Sequence, residues 1–275
     1  MPDPNIDSAL HVSPNRNYTI PFNYIWDNTE QHWTPMQKGD CGGYMDSITA
    51  QAKDFIHKFG SNPNIPGTVS VENPETVWDG SSEYVFPPDV GTAIQVQSDD
   101  GGDNQEIIIE GLDENFYIQT WTGNLNGLSN VDVDGTWSRV YRAYNNGSTD
   151  FAGTIDIHES GAATSYAQIL GATNQTLMAV YTVPADCTGY LVKFGVTAHN
   201  PGSSSEIGYT AYFKTREYGK VFRVKEVTSV GTSNGFTQEL PFPLQLNPKS
   251  DVLINIVNAN GNNGAVNGEF DIALL

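Results

Sequence analysis

The sequence predicts an all-β protein: two successive β-sandwich domains, the second jelly-roll-like, preceded by an irregular N-terminal arm and one short α-helix. Three observations carry this. From Val69 onward, runs of β-branched and aromatic residues recur with turn signals every ~8–12 residues. Gly, Asn, Asp or Pro bounds each run. An apolar stripe at helical spacing stands before Gly60.

Residues 1–40 are rich in Asn, Pro and Asp but carry Tyr18, Phe22, Tyr24, Trp26 and Trp33. A disordered tail is poor in aromatics, so this reads as an arm that packs on its own chain or on a neighbour. Met45, Ile48, Ala52, Phe55, Ile56 and Phe59 then recur at helical spacing, with Lys53, Asp54 and Lys58 outside the stripe. The pattern predicts a helix over 45–59, served by Asp40 or Asp46 at its start and stopped by Gly60. Its stripe reads as a docking face. Ser61–Gly67 is turn chemistry and reads as a linker. The first unit is therefore expected at 1–68.

The first sandwich, 69–160, is expected to use Val69–Val71, Ala93–Gln97, Glu106–Glu110, Phe116–Trp121, Ser138–Tyr144 and Gly153–His158. A less regular stretch, Ser160–Asn174, follows. The second sandwich, 161–275, opens with Leu177–Pro184. In the next run Tyr190, Val192, Phe194 and Val196 alternate with Leu191, Lys193 and Gly195. Tyr209–Thr215, Val221–Val227, Phe236–Leu240, Val252–Val257 and Glu269–Leu274 complete it.

Lys and Arg number 13 against 32 Asp and Glu, a formal charge of -19. That balance repels phosphate backbones and anionic membranes, so neither nucleic acid nor membrane is an expected partner. No run reaches the ~18 apolar residues of a membrane span. The N-terminus shows no basic segment followed by an apolar one, which points to synthesis in a cytosol. Cys41 and Cys187 are expected as buried thiols, with a single bridge left open.

Chemistry-bearing patterns are few. Asn130, Asp132 and Asp134, followed by Gly135, match the first half of a calcium loop. The distal acid is missing, since Tyr141 holds the twelfth position, so an acidic hairpin turn is the favoured reading and no cofactor is expected beyond this weak calcium candidate. Asp99–Asp103 is a second acidic turn, with carboxylates expected in solvent. His11, His32, His57, His158 and His199 form no zinc-like grouping, and no nucleophile elbow or phosphate-binding loop occurs. No catalytic residue is nominated, and the chain is expected not to be an enzyme. Trp78, Trp121 and Trp137 read as core or interface anchors ahead of a sugar-stacking platform.

Residues 75–275 carry an ordered series of motifs. Trp78-Asp79-Gly80, Tyr84-Val85-Phe86-Pro87, Ser98-Asp99-Asp100, Ile107–Asp113 and Arg139-Val140-Tyr141-Arg142-Ala143 come first. Ala179–Pro184, Thr188–Leu191, Arg216–Phe222, Leu246–Val252 and Phe270–Leu275 follow. In this order they resemble structural proteins of tailed bacteriophages, notably phages of marine and cyanobacterial hosts. The acidic Asn130–Gly135 segment departs from the resemblance, where a Thr/Ser/Asn-rich stretch is expected. The resemblance implies a capsid decoration (cement) protein on the exterior of the virion, made in the host cytoplasm. Its partners would be the major capsid protein and neighbouring copies of itself, with a trimer as one expected oligomer. Tyr18, Phe22, Tyr24, Trp26, Trp33, Phe55 and Phe59 are the expected partner contacts. The alternative is a tail or head-fibre accessory module that binds host-surface glycan; a polysaccharide-degrading enzyme ranks last, for want of an acid/base pair.

Overall fold

A computed structural model describes residues 24–27, 32–35, 48, 51–200 and 206–275. The chain divides into two compact units between Gln51 and Ala52. In the first, β1 (Tyr24–Asp27) and β2 (His32–Pro35) form an antiparallel pair that sets Trp26 opposite Trp33. Tyr24 and Trp26 thus lie on β1 and Trp33 on β2, while Tyr18, Phe22 and Cys41 lie outside the described residues.

The second unit is antiparallel throughout. Its strands are β3 (Asp54–Ile65), β4 (Glu75–Thr76), β5 (Thr92–Ser98), β6 (Glu106–Asp113), β7 (Ile118–Asn124), β8 (Val131–Asn145), β9 (Ile155–Glu159) and β10 (Ser165–Ile169). After these come β11 (Val180–Thr182), β12 (Gly189–His199), β13 (Gly208–Arg216), β14 (Arg223–Gly231), β15 (Phe236–Leu246), β16 (Asp251–Ala259) and β17 (Gly264–Leu274). They build a six-stranded sheet, β10-β9-β5-β8-β6-β7, and a four-stranded sheet, β15-β12-β17-β3. A five-stranded sheet runs β11-β16-β13-β14, with β4 added on β16. The all-β sandwich architecture expected from the turn spacing is present.

Two hydrophobic cores explain the layering. One lies between the four- and five-stranded sheets, with Phe194, Phe213, Ile254, Phe270 and Ile272 among its residues. The other gathers Ile94, Ile107, Ile109, Val133, Trp137 and Ile157 of the six-stranded sheet against Trp78, Met178, Val180 and Leu253. Strand β16 serves both. Val252, Ile254 and Ile256 enter the first core and Leu253 enters the second, so residues 252–257 are buried on both faces, with Asn255 their one polar member, accepting from the Thr76 hydroxyl at 2.9 Å.

Five expectations need correction. The helix drawn over 45–59 is not formed past Gln51: Ile48 and Gln51 are helical, but Asp54–Ile65 is strand β3. Phe55 and Phe59, four positions apart, fit a period of two as well as the helical stripe, and β17 offers a paired edge from Leu274 back to Gly264. The burial is inverted with it. Lys58 turns inward, whereas Phe55 and Phe59 remain exposed. Because β3 and β4 belong to sheets completed by residues 180–274, pairing crosses the boundary expected at 68/69. Val69–Val71 is not a strand; it runs through a turn region between β3 and β4. Ser160–Asn174 holds β10, hidden from the pattern by its Tyr-Ala-Gln interior. Finally, Asn130–Gly135 is no hairpin turn but the start of the long strand β8. The turn chemistry there makes a bulge, with Gly135 at φ +94° where β8 shifts register against β5.

Candidate functional site

Arg139 and Asp251, both buried in the second unit, are turned on each other. Arg139 on β8 is 2% exposed, and its Nε donates to Oδ1 of Asp251 at 2.8 Å and to the Thr182 hydroxyl at 3.1 Å. Its Nη2 donates to Asp251 Oδ2 at 3.1 Å and to Asp89 at 2.7 Å. Arg216 on β13 donates to the same Oδ2 through Nε at 2.8 Å. The guanidinium planes lie over aromatic rings: Arg139 over Phe86 and Phe116, Arg216 over Phe86 and Phe222. Burial alone would lower the Arg139 pKa, but the two carboxylates hold it above its ordinary value. This cluster ties the six-stranded sheet to the five-stranded one.

A cleft of about 500 Å³ opens where β3 passes β6, β7 and β8. Its walls include Phe55, Ile56 and Phe59 of β3, Ile118 and Thr120 of β7, and Tyr141 and Arg142 of β8. Alternation along β3 places Lys58 on the inner side, where its ammonium donates to the Tyr141 carbonyl. Desolvation by burial, reinforced by the charge of Arg142 and opposed by Glu110, pushes the Lys58 pKa down to about 7. Tyr181 lines the same cleft with its hydroxyl buried and without a hydrogen-bond partner, and burial raises its pKa well above the ordinary value. Two polar groups thus sit beneath a mixed rim, on which Phe55 is 54% and Phe59 39% exposed beside the charged Asp54, Glu110 and Arg142. Such a socket suits an apolar side chain or a carbonyl presented by another molecule.

Of the expected contact residues, the structure brings Phe55 and Phe59 together at this rim. Lys58 and Tyr181 were missed. The signal for Lys58 was the alternation of Ile56, Lys58 and Gly60 on one strand face; Tyr181 lies in an apolar strand like several others and gave none.

The acidic candidates are surface features with local partners. Asp132 accepts from Gln95 Nε2 at 2.7 Å, and Asn130 lies within 3.2 Å of Gln95 and 3.3 Å of His158. Asp132 and Asp134 stand exposed on a strand rather than wrapping a loop. Among the described residues, no three His, Cys, Asp or Glu side chains group as metal ligands. In the Asp99–Asp103 turn, one carboxylate departs from expectation. Asp103 is buried and accepts from the Ala152 and Gly153 amides and the Ser98 hydroxyl, pinning the turn to the loop before β9. Burial opposes ionisation there, but these donors outweigh it and hold the pKa below the ordinary value. Trp78 and Trp137 are core residues, which removes them as sugar platforms; Trp121 is half-buried on edge strand β7. Cys187 is a buried free thiol.

No protein-family model and no curated protein matches the chain. A solved structure is similar to it in part. A chain of infectious bursal disease virus, Gt strain, covers 82% of this chain and 72% of its own length, at 12% identity and a TM-score of 0.25.

Proposed function

We propose that the chain is a structural protein of a virion, a capsid decoration or cement protein that bridges neighbouring capsid subunits on the particle's exterior. The observation that carries this reading is the division of labour among its side chains. The buried Arg139 and Asp251 are engaged in joining sheets, whereas the aromatic side chains Phe55 and Phe59 stand exposed at an open sheet edge beside a cleft. That is the surface of a protein whose work is contact. A bridging contact of ordinary size would bury about 1,600 Å². The charge of -19 would steer the chain to a basic patch on the capsid and keep free copies apart. The N-terminal aromatics from Tyr18 to Trp33 supply a second anchoring segment in this reading.

The test is quantitative densitometry of purified particles, followed by rebinding of the purified chain to particles stripped of it. Stoichiometry matching the capsid subunits, and loss of rebinding on deletion of residues 1–40, are the expected results. Absence of the chain from particles sinks the reading. A few copies per particle, with saccharide binding on a glycan array, moves it to a tail or fibre module.

A further inference from the structure

The densest group of cations in the chain lies in one hairpin, where Glu217 and Glu226 offset part of its charge. Lys214, Arg216, Lys220, Arg223 and Lys225 are five of its 13 basic residues, all within the hairpin formed by β13 and β14. Arg216 is engaged with Asp251, but Lys220, Arg223 and Lys225 are exposed and pair with no carboxylate among the described residues. Between and beside them stand Val221, 75% exposed, and Val224 and Val227. β14 is also an end strand of its sheet, so one row of its backbone groups is unpaired. Charge alone would guard such an edge; three exposed valines beside the charges make it adhesive.

The complementary surface lies on the same chain. Between Thr92 and Ile169 twelve acidic side chains stand against two arginines. On the six-stranded sheet, Ile94, Val96 and Val133 turn to the core, so Gln95 and Asp132 occupy the open face, with Asp134 next along it. Asp132 and Asp134 are exposed, and Asp156 of β9 lies opposite Gln97 on the same sheet.

We propose that the β14 ridge docks on the acidic open face of the six-stranded sheet of a second copy, giving a head-to-tail contact between neighbours. Different patches meet in such a contact, so it propagates into a ring or an open array. Repulsion between two strongly acidic chains does not forbid it. At about 0.15 M salt charges are screened beyond about 8 Å, whereas side chains in contact across the interface keep their attraction. This inference rests on the virion reading only for its setting, an array of neighbouring copies.

Sedimentation velocity on the full chain, at about 0.15 M and about 1 M salt, tests it. Wild type is expected to self-associate at the lower salt and to weaken at the higher. The R223E/K225E and D132K/D134K variants should each lose at least about tenfold in affinity, about 1.4 kcal/mol. Mixed together they should associate again, because each supplies the half the other lacks. V221S/V224S should also weaken association, and unchanged urea midpoints would exclude misfolding in all three. A monomeric wild type, or D132K/D134K associating as wild type does, overturns the proposal. The two readings fail separately. Self-association without particle binding counts against the virion role alone, and a monomeric chain that still coats particles counts against this interface alone.

Discussion

Arg139 Nε lies 2.8 Å from Asp251 Oδ1, and this contact joins strand β8 of one sheet to strand β16 of another. Asp251 is 1% exposed and receives both Arg139 and Arg216. Removing the carboxylate takes from both guanidinium groups the acceptor they share and leaves the buried Arg139 with Asp89 as its one carboxylate. Asp251→Ala is therefore expected to destabilise the fold by about 3–5 kcal/mol, the range for breaking a buried pair from one side. Arg142→Ala, which removes a half-exposed pair with Glu110, should cost no more than about 1 kcal/mol. Urea unfolding of the two variants checks the contrast.

Two buried groups give opposite pH dependences. Asp79 donates no bond and accepts one, from the Leu177 amide at 2.8 Å, while its other oxygen has no partner. Burial pushes its pKa up from 3.8 to about 7. Between those values the folded chain holds a proton that the unfolded chain has lost, so stability falls as pH rises through the window. Asp79→Asn is expected to be more stable than wild type above pH 7, with the difference fading towards pH 4.

Lys58 runs the other way. Its pKa falls from 10.5 to about 7, so between those values the unfolded chain holds the extra proton and stability rises with pH. Lys58→Met should compare best with wild type below pH 7 and lose ground steadily towards pH 10.5. Chemical denaturation across both windows reads the two slopes, and parallel curves for wild type and variant would remove the assignment.

Gly60 marks the closest approach between β3 and the segment leading into β11. A Cβ built there would lie 2.2 Å from the Ala179 nitrogen and 2.5 Å from the Val77 oxygen, both backbone atoms. Gly60→Ala is expected to cost at least the ~1–3 kcal/mol of an overpacked core, since the strands themselves must part. Gly101→Ala, whose nearest neighbour would be Leu128 at 3.9 Å, should stay within about 0.5 kcal/mol. Thermal melts of the pair are sufficient.

Phe55 and Phe59 separate binding from folding. Both rings stand exposed on β3, so the F55S/F59S double variant should change stability by less than about 1 kcal/mol. In the proposed virion role the same variant loses particle binding. Binding equal to wild type in a rebinding assay would move the contact away from this rim.

Much of the strand content was legible because turn residues bracket it. The run Glu106–Glu110 lies within β6, and Tyr209–Thr215 lies within β13, as alternation and flanking glycines require. The failure at β3 has a physical cause. Its apolar residues fit two periods at once, and pairing with β17, some 200 positions away in the sequence, decided between them. The Arg139–Asp251 contact was illegible for the same reason: each residue sits in a plain strand run, and their meeting depends on how sheets stack. The cleft was half legible. The stripe of a helix that does not form drew attention to Phe55 and Phe59, but not to the buried lysine between them.

Strand β16, shared by both cores, makes the completion of each depend on the same distant segment of the sequence. The six-stranded sheet is complete in sequence at Ile169, yet Leu253 of its core arrives only with β16, and β3 waits for β17 at the very end. Early segments must therefore wait, partly unsheltered, for the last ones to be synthesised, and pairings this distant close slowly. A chain cut short before β16 would lack material from both cores at once.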